Sequence, residues 1–147
     1  MKPVAQIIDS PETGDCFRAC VASILEVDPH EVPNISDPAY KGRYWLGVMN
    51  EYLAPRNLAL MYTANEQCFW ELPWFIWSVR SPKYEGKTHA VVVSTTKGPG
   101  HNVHGWRIAW DPSPWRDHEP EKRAECYDKP LAAYFFVALD PRAVHAP

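Results

Sequence analysis

Three residues of this chain could together form an activated thiol: Cys16, His89 and Asp111. A cysteine attacks as its thiolate, and the N-terminus of a helix both exposes the sulfur and stabilises its negative charge. Cys16 falls in the first turn of the first predicted helix, whose apolar stripe runs through Phe17, Cys20, Val21, Ile24 and Leu25. On a wheel of about 100° per residue that stripe centres near Phe17 and contains Cys20, while Cys16 lies about 100° off it, at the flank. Cys20 therefore reads as a core thiol and Cys16 as one that can face a cleft. Against this stands the ordinary behaviour of free cysteines, most of which are small buried hydrophobes.

The base has to be a histidine held on a rigid element. There are six. His30 lies in a surface turn, His101 and His104 in or near a Gly-rich loop, His118 in a charged Pro-rich loop, and His145 in the terminal segment. Only His89 opens an otherwise apolar run, Ala90-Val91-Val92-Val93. A polar ring at the edge of such a strand needs a partner, whether its role is catalytic or structural. A carboxylate on its far nitrogen would fix the tautomer and support the imidazolium. If the strands at 88–96 and 106–111 pair as a hairpin, Asp111 returns to the level of His89, because the two are symmetric about residue 100, a glycine of the turn. A bulge would shift that register by one. Asp111-Pro112-Ser113-Pro114 can also be read simply as a turn.

These residues need elements to hold them. The periodicity predicts a helix over about Asp15–Glu26 with Asp15 as N-cap, a short helical turn at Asp28-Pro29-His30-Glu31, and a longer helix over about Lys41–Ala54 that Pro55 ends. The signal then changes to strands: Leu58–Tyr62, Trp74–Val79, Thr88–Thr96, Trp106–Asp111 and Leu131–Leu139. Lys97-Gly98-Pro99-Gly100 reads as an extended hairpin turn. Helices first and an antiparallel β-sheet second make an α+β fold. Of the tryptophans at 70, 74, 77, 106, 110 and 115, most are expected in the core, with about two facing a cleft.

Composition narrows the function classes. With 147 residues, 46% hydrophobic and 22% charged, the chain reads as a single domain, 1–147, without repeat or linker. A net charge of -3 and the absence of a Lys/Arg run argue against nucleic acid as a partner. No apolar stretch approaches roughly 18 residues, so no membrane partner is expected. The start Met1-Lys2-Pro3-Val4-Ala5-Gln6 lacks the apolar run of a signal peptide, which makes cytoplasmic localisation the expectation. Cys16, Cys20, Cys68 and Cys126 are accordingly read as thiols. No C-x-x-C pair occurs, and His101 and His104 have no neighbouring ligand pair, so neither a metal nor a cofactor is expected.

Taken together, the motifs resemble a known family. Gly14-Asp15-Cys16-Phe17-Arg18-Ala19-Cys20-Val21-Ala22-Ser23-Ile24-Leu25, with Val32-Pro33 after it, is similar to the nucleophile helix of C39-like peptidases in the papain-like superfamily. Thr88-His89-Ala90-Val91-Val92-Val93 resembles their histidine strand and Ala109-Trp110-Asp111-Pro112 their aspartate strand, in the papain order Cys, His, Asp. The resemblance is to small phage and bacterial members. It implies a papain-like fold and a cysteine hydrolase, of peptidase or amidase type, working through a Cys16 acyl-enzyme on a peptide, protein or other amide-containing substrate. It also implies a Gln upstream of the cysteine as oxyanion donor, a place that Gln6 fills here. The gap from Gln6 to Cys16 is longer than in the bacteriocin-processing members, and Phe17 stands where glycine is common there, so their substrate rules do not carry over. Two alternatives stay open on the same fold: an acyl transferase of transglutaminase-like type, and a non-catalytic phage or bacterial binding protein.

Overall fold

The computed structural model describes residues 1–63, 74–94, 107–127 and 130–140. The first helix, α1, spans Cys16–Leu25, and Glu26 ends it in the left-handed region at φ 58°. Asp28 caps the following 3-10 turn, Pro29–Glu31, by accepting the His30 N–H at 2.8 Å. The second helix, α2, is Trp45–Leu53, shorter than the expected 41–54. Asp37 instead caps a separate 3-10 turn at Pro38–Tyr40, and Gly42 at φ 82° bends the chain before the apolar stripe begins. Pro55 lies inside a further 3-10 turn, Ala54–Arg56, which Asn57 closes at φ 58°.

Five strands follow: β1 Leu58–Thr63, β2 Trp74–Arg80, β3 Thr88–Ser94, β4 Arg107–Trp110 and β5 Ala132–Ala138. They form one sheet in the order β1-β5-β2-β3-β4, antiparallel at each pairing. The fold is α+β, with the N-terminal helices packed on an antiparallel sheet. The turn at 97–100 lies outside the described residues, as do Cys68, Trp70, Trp106, His101, His104 and His145.

An eight-residue helix, α3 at Pro120–Tyr127, occupies part of the stretch read as a charged loop. Its signal was present: a proline at the first position followed by good helix formers. It carries no apolar stripe, so periodicity could not reveal it.

Both faces of the sheet are covered. Cys20 and Val21 of α1, with Met49 and Leu53 of α2, pack on Ile76 and Val92. On the opposite face Phe75, Trp77, Val79, Val91 and Val93 cluster, with Tyr127 of α3 against them. This explains the unbroken valine run of β3, since a strand buried on both faces has no solvent side to alternate with. Full burial of a side chain such as Leu53 or Phe75 contributes roughly 1.5–3 kcal/mol.

The pairing of β3 with β4 departs from the symmetric register. Symmetry about residue 100 would set Val92 opposite Ile108; instead Val92 faces Trp110 while Val93 faces Ile108, so Ala109 is the extra residue of a β-bulge. Without the bulge, the Val93–Ile108 pairing would continue to place Asp111 opposite Ala90, on the other side of the strand from His89. The extra residue carries Asp111 to the level of Val91, which shares the side of His89. Asp111 thus meets His89 diagonally rather than directly across.

Candidate active site

Cys16 is the first residue of α1 and is half-buried, lining a cleft of about 390 Å³ together with His89 and Gln6. One turn on, Cys20 is fully buried; burial, reinforced by Cys16 and Asp111 nearby, pushes its thiol well above the usual range. The two thiols therefore divide as the helical wheel predicts, one core and one facing the cleft.

Asp15 occupies the N-cap position, but its side chain does not cap the helix. Its Oδ1 accepts the N–H groups of Ile7 (3.0 Å) and Ile8 (2.8 Å), and its Oδ2 accepts from both the Nε and the terminal nitrogen of Arg18. The carboxylate is 1% exposed, so it forms a buried clamp between the N-terminal segment and α1. The first-turn amides of α1 are left without a side-chain cap, at the end where the sulfur sits. Gly14 closes the turn just before it, where a Cβ would lie 2.5 Å from the Ser10 carbonyl oxygen.

His89 and Asp111 form a buried pair, with Nε2 2.8 Å from Oδ1 and exposures of 4% and 8%. Cys16 lies near enough to the ring to favour its charged form, and with Nε2 taken by Asp111 the ring's remaining nitrogen is Nδ1. Burial by itself would pull the pKa of His89 down, but the bond to Asp111 and the neighbouring Cys16 outweigh it and raise it to about 9. Burial likewise opposes ionisation of Asp111, yet its hydrogen bonds hold it at about 2. Ser113 donates to Oδ1 from its N–H (2.9 Å) and its hydroxyl (2.7 Å), and the Tyr127 hydroxyl donates to Oδ2. Burial and the charge of Asp111 push the Tyr127 hydroxyl far up, so it remains a donor. The Asp-Pro-Ser-Pro segment is therefore a turn and also the mount of a carboxylate saturated with donors.

Gln6 reaches the cleft despite its ten-residue distance from Cys16 along the chain. Its N–H bonds the Pro112 carbonyl (2.8 Å), directly after Asp111, while the Asp15 clamp fixes Ile7 and Ile8. Its Nε2 donates one proton to the Ile8 carbonyl (3.0 Å). An amide nitrogen carries two, so a second donor remains. Asp9, which also lines the cleft, gathers Lys83 Nζ, the Tyr84 hydroxyl (3.0 Å) and Trp115 Nε1 (3.2 Å). The Trp115 ring lies 5.0 Å from that of His89, centroid to centroid.

Sequence reasoning brought out Cys16, His89, Asp111 and Gln6; the fold sets Cys16, His89 and Gln6 on one cleft, with Asp111 bonded to His89 but not lining that cleft. It missed Tyr127 and Ser113 as partners of Asp111, Asp9 as a hub, and Trp45 as a cleft residue. Only Ser113 had a local signal, as the second residue after an aspartate in a turn. Trp77 is core, Trp115 lines the cleft, and Trp110 packs against the core while donating to the Val4 carbonyl (2.8 Å). Of the other histidines, His30 and His118 are exposed. Among the described residues no three His, Cys, Asp or Glu side chains come together to hold a metal ion, and no helix is long and apolar enough to cross a membrane.

No protein-family model matches this chain, and no curated protein or solved structure matches it significantly. The geometry of the site carries the functional reading.

Proposed function

We propose that this chain is a cysteine hydrolase of papain-like type, acting on a peptide or other amide through a Cys16 acyl-enzyme. One observation carries the reading: a buried histidine, raised to about 9, set between a saturated carboxylate and a cleft-facing thiol at a helix start. Such a ring is imidazolium at neutral pH and so favours a thiolate beside it. The helix-first order, with His89 on β3 and Asp111 directly after the neighbouring β4, supports the papain-like assignment.

In this mechanism the Cys16 thiolate attacks the substrate carbonyl carbon, and the carbonyl π electrons move to oxygen. The Cys16 N–H and the second Nε2 proton of Gln6 stabilise that oxyanion. Its collapse breaks the C–N bond while His89 gives a proton to the departing amine, leaving a thioester. Neutral His89 then takes a proton from water, whose oxygen attacks the thioester. Collapse of the second intermediate expels the thiolate and releases the acid, and the thiolate–imidazolium pair is restored.

The test uses p-nitrophenyl acetate, an ester activated enough to acylate a thiol without specific recognition. The wild-type chain should release a burst of one nitrophenolate per chain and carry one acetyl group on Cys16, and Cys16→Ala should abolish both. Iodoacetamide at mildly acidic pH should label Cys16 first, with adducts mapped by mass spectrometry. Equal labelling of Cys68 or Cys126 in the native chain, or a burst that survives Cys16→Ala, would sink the assignment.

Gln6→Ala should lower kcat by about 10² while Cys16 still labels at the wild-type rate. A change below about threefold would move the oxyanion donor to a backbone amide at the start of α1.

A further inference from the structure

A second pocket, of about 310 Å³, shares no lining residue with the catalytic cleft. Asp111, Arg116, Asp117, Arg123 and Tyr127 are among the residues that line it. Arg123 is the unusual one, a charged side chain in the middle of α3 that is 8% exposed. Its Nη1 donates to the Trp115 carbonyl at 2.9 Å. Among the described residues it makes no other hydrogen bond, and no carboxylate lies within ion-pair distance of it. A guanidinium carries five N–H donors, so four are left over. Its Nε and second terminal nitrogen are not sealed off from solvent, and they open onto the pocket. A buried cation is costly unless an anion meets it.

Arg116 brings a second guanidinium to the same place. Its Nη1 donates to the Ser113 carbonyl at 3.1 Å, two residues before the carbonyl that holds Arg123. The Trp110 ring, 4.7 Å from its central carbon, steadies the group from one side. Two carboxylates share the pocket, and neither neutralises this pair. Asp111 is already saturated by His89, Ser113 and Tyr127. Asp117 is 87% exposed and reaches Arg116 only at 4.0 Å, where water screens the attraction.

We infer that this pocket binds a phosphate group, held between the guanidiniums of Arg116 and Arg123. Planar guanidinium forks match the oxygens of carboxylate and phosphate alike, but two of them around one ligand favour the doubly charged anion. The inference does not depend on the Cys16 chemistry. Arg123 and Tyr127 are four apart on α3 and so share a helix face, which places the bound anion on the far side of the Asp111–Tyr127 bond from the cleft.

The experiment is isothermal titration of the full chain at about pH 8, where phosphate is largely dianionic, in a chloride buffer free of other oxyanions. Sodium chloride holds the ionic strength constant, so that binding is not a screening effect. Inorganic phosphate and O-phosphoserine are titrated in parallel, and the tighter of the two tells whether the pocket reads the free ion or a phosphomonoester. The wild-type chain should show saturable binding at one site. Arg123→Gln and Arg116→Gln should each weaken it about tenfold or more. Urea unfolding checks that both variants fold; if Arg123→Gln does not, the more exposed Arg116 decides the matter. Absence of saturable binding by either phosphate ligand overturns the inference. So does an affinity that stays within about twofold of wild type in a folded variant. Sodium acetate that competes as well as phosphate overturns the assignment to a phosphate group.

Discussion

With His89 replaced by alanine, alkylation of Cys16 by iodoacetamide at pH 6 is expected to fall about tenfold or more, and acyl transfer by about 10³-fold or more. The reason lies in what the ring supplies. Folding raises His89 from 6.5 to about 9, so the imidazolium is complete below about pH 6.5, still predominates at neutrality, and is lost as pH rises through 9. Below 9 it holds its positive charge against the sulfur. An unassisted thiol becomes reactive only as pH nears roughly 8.5. The His89→Ala chain should therefore alkylate slowly at pH 6. For amide substrates the wild-type chain should lose turnover as pH passes about 9, because the departing amine then finds no proton on the ring. Undiminished labelling of His89→Ala at pH 6 would mean that the ring does not act on the sulfur.

Asp111→Ala is expected to destabilise the fold by about 3–5 kcal/mol, measured by urea unfolding. It would strip His89 Nε2, the Ser113 N–H and hydroxyl, and the Tyr127 hydroxyl of their acceptor at once, at a largely buried place. Asp111→Asn separates charge from geometry. Its amide oxygen can still accept from Nε2, so the ring stays in place, but the carboxylate no longer favours the imidazolium. The alkaline limb of amide turnover should then move from about 9 toward the ordinary histidine value near 6.5. A loss under about 1 kcal/mol for the alanine variant would show that the pair is not the buried anchor that its burial and hydrogen bonds describe.

The parts of the site set by short-range periodicity were legible in the chain. Phe17, Cys20, Val21, Ile24 and Leu25 define α1 by their spacing, and the same spacing separates the buried Cys20 from the cleft-facing Cys16. Thr88–Thr96 reads as a strand from its run of valines, β3 forms over Thr88–Ser94 of it, and His89 is its one polar ring. The first turn of α2 was misplaced because Gly42 and the Asp37 cap bend the backbone where the composition still suits a helix.

Other features belong only to the tertiary structure. The bulge at Ala109 decides which side of the sheet Asp111 faces, and nothing in Arg107-Ile108-Ala109-Trp110 marks it, since a bulge depends on how two strands pack together. Asp15 looks like a helix cap; the fold turns its carboxylate onto Ile7, Ile8 and Arg18, because a buried carboxylate goes to whichever donors the surroundings press against it. Tyr127 and Asp111 are sixteen residues apart, and Phe17, Trp45 and Tyr134, whose rings meet edge to face, span most of the chain. Local sequence determined which residues could serve as thiol, ring and carboxylate. Long-range packing decided that they meet, because register and helix docking arise from the summed burial of the whole sheet, which no single segment encodes.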